Sequence, residues 1–171
     1  MKCRGGLLCS GFGAALILFS ACMRAWASSA LIDLIVPPYP NGLSEEFGAC
    51  VGKGPPSHIC DYSVGIISDA GGKPALVRTG RYQGLDSSGR ARWLLTDTLA
   101  YPRTSDERVL IYATCLLNGQ PDPSVFALID KPEEQAKRAA GWAYRVDLAS
   151  GKFVKLSPAS VKCYQPGGDN D

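Results

Sequence analysis

The sequence predicts a mainly β protein: a small antiparallel curled sheet or open barrel with one short helix, with a two-layer α+β sheet as the alternative. Three observations lead there. Apolar and polar residues alternate at period two through most of 57–157, as half-buried strands require. Nineteen glycines and twelve prolines cut the 171 residues into short runs. Only one segment carries a helix signature, too few for the crossovers of a parallel sheet. With 46% hydrophobic and 20% charged residues, a coiled coil, a collagen-like chain and a wholly disordered chain are set aside.

Residues 1–27 read as a signal peptide. Lys2 and Arg4 form a basic head, Leu7 to Cys22 is almost free of charge, and Ala25-Trp26-Ala27 matches the small-x-small pattern of a cleavage site. A competing cut lies at Phe19-Ser20-Ala21-Cys22, which resembles a bacterial lipoprotein box and would anchor the chain by a lipid on Cys22. The expected home is the periplasm, with no transmembrane segment after processing. Lys2, Arg4 and Arg24 leave with the leader and no acid does, so the net charge falls from +2 to −1. No dense Lys/Arg run remains to track phosphates, so a nucleic-acid partner is not expected.

Residues 28–56 read as an irregular segment packed on the domain. Leu31 to Val36 suits one short strand, stopped by Pro37, Pro38 and Pro40 because proline lacks a ladder donor. Asn41-Gly42 marks a turn, and Ser44 to Phe47 suits at most one helical turn before Gly48.

A disulfide-tied β domain is expected over 57–164. Cys60, Tyr62, Val64 and Ile66 share one face of a strand. Asp69 to Gly72 turns the chain, Ala75 to Gln83 returns it, and Asp86 to Gly89 turns it again into a strand over 91–98. After a polar loop at 102–107, residues 108–117 are apolar on both faces, as a central strand would be. Asn118-Gly119 and Pro121-Asp122-Pro123 lead to a partner strand over 124–129. Asp130 and Glu133 have capping-box spacing, followed by Lys137, Arg138 and Gly141, which predicts a helix of about ten residues. Residues 142–148 and 152–156 form a last hairpin, Pro158 ends the regular region, and 165–171 is a flexible tail.

Of seven cysteines, Cys50, Cys60, Cys115 and Cys163 lie outside the leader. An even number in an exported chain reads as disulfides, paired 50 with 60 and 115 with 163. Loop entropy assigns about 3 kcal/mol to the short loop and about 4 to the long one. A metal site is not expected, because Cys50 and Cys60 are too widely spaced for a zinc knuckle and His58 is the one histidine.

No nucleotide, zinc-protease or serine-hydrolase motif is present, so no cofactor and no catalytic residue is assigned. Asp97, Asp106, Glu107 and Asp122 are the carboxylates of an alternative reading, a cell-envelope hydrolase with two acids across a cleft. A second alternative is a carbohydrate-binding module using Tyr82, Trp93, Trp142 and Tyr144, although their alternating positions favour core packing. The leading expectation is a non-enzymatic periplasmic binding or inhibitory protein whose partner is another envelope protein. Two loops are its candidate contact sites: Tyr101, Arg103, Asp106 and Glu107 in one, Asn118 and Asp122 in the other. Tyr and Arg are favoured hot-spot types.

Overall fold

The computed structural model describes residues 30–164 apart from 41, 53, 55–59, 104–107 and 131–136. The leader, the tail, His58, Asp106, Glu107 and the first turn of the expected helix therefore lie outside the described residues. The protein is mainly β and antiparallel, as the alternation requires.

The first sheet contains β1 (Ile35–Val36), β2 (Ser44–Val51), β3 (Tyr62–Ser68), β4 (Pro74–Leu85) and β5 (Ala91–Ala100), in the order β1-β5-β4-β3-β2. Register shifts between Thr79 and Gly80 and between Tyr82 and Leu85 interrupt the β4–β5 ladder, and such bulges bend a sheet. The second sheet contains β6 (Arg108–Tyr112), β7 (Cys115–Leu117), β8 (Gln120–Pro121), β9 (Val125–Asp130), β10 (Lys137–Asp147), β11 (Lys152–Lys155) and β12 (Val161–Cys163). Its order is β6-β9-β10-β12-β7-β8, with β11 also on β10. This sheet curls strongly, bringing β7 and β12 back against β9 as a half-barrel.

Three cores result. Val125, Ala127, Ile129, Ala143, Val161, Cys115 and Cys163 fill the curl of the second sheet. Tyr62, Val64 and Val77 of the first sheet meet Leu110, Phe126 and Val146 of the second. On the opposite face of the first sheet, Leu31 and Val36 pack over Ile67 and Leu95, joined by Tyr39, Leu43, Leu76 and Trp93. Leu31, Val36, Tyr39 and Leu43 thus form a strap across that face.

The two disulfides are Cys50–Cys60 and Cys115–Cys163, the expected pairing. Cys115 and Cys163 are register partners on β7 and β12, with Cα atoms 4.0 Å apart. Both disulfides fit an oxidising compartment outside the cytoplasm. Among the described residues, no helix is long and apolar enough to cross a membrane.

Four expectations are corrected. The helix fails where it can be seen: Lys137 begins β10, pairing with Cys163, and Ala139 pairs with Ile129. Two ladders outweigh a local capping pattern. Residues 28–56 are not irregular throughout, because Ser44–Val51 pairs with β3 along its length. The run 108–117 is two strands, broken where Ala113 adopts φ 69°. Its first part, β6, is an edge strand; it is apolar on both sides because one side faces the inter-sheet core and the other the half-barrel core. Lastly, regular structure continues past Pro158 through a 3-10 turn at Pro158–Ser160 into β12.

The β10–β11 hairpin is bolted to β5. The Gly151 carbonyl accepts from Thr96 Oγ1 at 2.8 Å, and Asp97 Oδ2 accepts from the Phe153 N–H at 2.9 Å. Gly151 is required twice over: its φ is +70°, and a Cβ there would stand 2.7 Å from the Tyr62 ring.

Candidate functional site

The most polar interior region lies beneath the strap. Arg78 points from β4 to the side opposite Val77 and is 1% exposed. A side chain of that size fits because the strands around it are pared down. Gly65 is its register partner, Gly48 is the partner of Gly65, and Gly80 faces Ser63. A Cβ at Gly65 would lie 1.6 Å from Glu45 Oε1 and 2.9 Å from Arg78 Nε.

The guanidinium is held by three neighbours. Its Nη1 donates to the Ser63 carbonyl at 3.1 Å and to the Ser63 hydroxyl, and its Nη2 pairs with Glu45 Oε1. It also lies 5.8 Å from the Trp93 ring centre. Its buried Nε has no hydrogen-bond partner among the described residues. The second Glu45 oxygen accepts from the Tyr39 hydroxyl. Burial raises the Tyr39 phenol above its usual range; the Arg78 charge opposes this and the Glu45 charge adds to it. Tyr39 therefore keeps its proton and serves as donor.

Tyr39 and Glu45 also line an open cleft of about 440 Å³ with Pro37, Leu43, Ser44, Arg90, Ala91 and Trp93. A second cleft, about 340 Å³, is lined by Asp61, Tyr62, Arg81, Tyr82 and Leu148. The first combines aromatic walls, a carboxylate and a guanidinium, the makings of a small-ligand site. Among the described residues, no group of His, Cys, Asp and Glu is arranged to hold a metal ion.

The sequence-nominated residues are scattered. Tyr101 is half-buried on the inter-sheet core and its N–H donates to the Ala75 carbonyl. Burial raises its phenol pKa, with Tyr112 adding to the shift. Arg103 is exposed beside it in sequence. Asn118 and Asp122 belong to the β7–β8 hairpin on the half-barrel. Asp122 Oδ1 accepts from the Ser124 N–H at 2.9 Å and hydroxyl at 2.6 Å, forming the turn into β9. Asp97 is likewise engaged, in holding β11. Tyr82 and Trp93 pack edge to face, Trp93 joining the core under the strap, while Trp142 and Tyr144 are partly buried around Phe126 at the inter-sheet core; Tyr82 belongs to none of these cores and lines the second cleft.

Sequence reasoning missed the Arg78 cluster. Its signal was a charged residue at an inward strand position with glycine at the centre of neighbouring strands; Glu45 was hidden in a segment read as irregular. Comparison of the chain with protein families, curated proteins and solved structures finds no match in any of the three.

Proposed function

We propose that the chain, after cleavage following Ala27, is a non-enzymatic periplasmic binding or inhibitory protein acting on another envelope protein. One observation supports this reading above others: the exposed β7–β8 hairpin is rigidly mounted. Cys115 at its root is bonded to Cys163. The Asn118 N–H donates to the Ser160 carbonyl at 2.8 Å, and the Asp122 N–H to the Cys115 carbonyl at 3.0 Å. Asn118, Gly119, Gln120 and Pro121 are exposed at its tip. A loop ordered before contact loses little entropy on binding, which favours affinity.

The disulfides support an oxidising compartment, and the basic, apolar leader supports export to the periplasm. Lipidation of Cys22 is the alternative form of the same export. Photo-crosslinking in intact cells tests the reading. A photoreactive residue at Asn118 or Gln120 should give one discrete protein adduct, and one at the exposed Lys155 should not. Failure to form an adduct from the hairpin, or an equal adduct from Lys155, would overturn it.

A further inference from the structure

We infer that the cleft between Arg90 and Trp93 is a binding site for a small carboxylate that carries a ring. This is independent of the hairpin, which lies on the other sheet.

The argument begins with Arg90. The β4–β5 turn folds around Asp86 Oδ1, which accepts from the Ser88 N–H at 2.8 Å, the Ser88 hydroxyl at 2.7 Å and the Arg90 N–H at 3.0 Å. Arg90 Nε donates to Asp86 Oδ2 and Ser88 Oγ, each at 3.0 Å. The hydroxyl of Ser88, with the other donors, holds the Asp86 carboxyl well below the usual carboxylate range, so this anchor stays ionised. Arg90 is thus oriented through Nε alone. Its terminal nitrogens carry no bond among the described residues, and its side chain is 70% exposed. The end of a guanidinium offers two parallel N–H groups, the fork that a carboxylate accepts.

Arg90 shares its cleft with a wall suited to a flat body. Trp93 is steadied by Tyr82, with ring centres 5.6 Å apart, and by Arg78. Pro37, Tyr39, Leu43 and Ala91 complete the apolar lining. The volume of about 440 Å³ accommodates one ring with substituents. Charge selects within the anions. Glu45 at the cleft and the Asp86 carboxylate paired to Arg90 repel a doubly charged phosphate more than a singly charged carboxylate.

The test uses residues 28–171 labelled with ¹⁵N, in which Trp93 and Trp142 give the two indole N–H signals. Galacturonate and phenylacetate are titrated separately, with acetate and phenylacetamide as controls. The expected result is a saturable shift of the Trp93 signal with at least one of the two acids. Acetate and the amide should bind about tenfold or more weakly, since each loses either the ring or the charge. A response to galacturonate alone identifies a saccharide acid, and to phenylacetate alone an aromatic acid. Arg90→Ala should weaken binding about tenfold or more, with the Trp142 signal unmoved. Arg90→Lys should recover only part, because an ammonium lacks the fork. No saturable shift with either acid, equal binding of acetate, or unchanged affinity in Arg90→Ala would overturn the inference.

Discussion

On one face of the first sheet, Tyr62, Val64 and Val77 meet the side chains of Phe126 and Val146 from the second sheet. On the other face, Arg78 and Glu45 lie between the sheet and the strap. The two faces are sealed by different physics. An apolar contact loses energy in proportion to the surface and volume removed. A buried ion pair does not, because taking one partner strands the other in a poor dielectric. The same sheet should therefore tolerate graded change on one side and very little on the other.

Arg78→Met is the largest test of that contrast. It should cost about 3 kcal/mol in urea unfolding, less than for a wholly enclosed pair because the Glu45 side chain keeps 14% exposure. Adding Glu45→Gln should restore more than half of the loss, since no charge is then stranded. A single-variant loss no greater than that of Phe126→Leu would break the comparison. Gly65→Ala sharpens it: the methyl group must displace the Glu45 carboxylate, at about 2 kcal/mol. Phe126→Leu, on the apolar side, should cost about 1.5 kcal/mol, because a smaller hydrophobe partly refills the space among Trp142, Tyr144 and Phe153. Asp122→Ala lies outside both faces and should cost about 1 kcal/mol, the value of a local turn bond.

Alkaline pH probes the strap face through Tyr39. The folded pKa of Tyr39 is raised, so its contribution is fully present below the unfolded value of about 10 and is lost as pH rises above it. Denaturation midpoints followed above pH 10 should fall, and fall less in Tyr39→Phe. Some fall should persist, because Tyr101 and Tyr112 are also raised, chiefly by burial. An unchanged slope in the variant would remove Tyr39 from the account.

The elements legible in the sequence are those whose face pattern and turns agree. Tyr62, Val64 and Ile66 alternate into Asp69 to Gly72, and β3 and β4 pair there in the expected sense. Both disulfides were legible because loop spacing narrowed the choices. β2 was not, since Ser44 to Phe47 reads as one helical turn ended by Gly48 until Arg78 is placed against Glu45. The helix misreading has the opposite cause: Asp130 and Glu133 supply a local pattern, while the partners that define β10, Cys163 and Ile129, are distant or already counted elsewhere. Of the nominated contact residues, Tyr101 was chosen by residue type, and type does not reveal that its ring packs on a core.

β12 lies between β10 and β7, so the second sheet receives one of its inner strands last. Residues 161–163 close the ladder to Leu117, Leu116 and Cys115, and Cys163 supplies the final sulfur. For a chain made or threaded amino end first, this sets an order of assembly. The first sheet can pair as soon as Ala100 is available, whereas the half-barrel waits for residue 163. A chain stopped a few residues short would leave β7 and β8 without the strand that joins them to the rest.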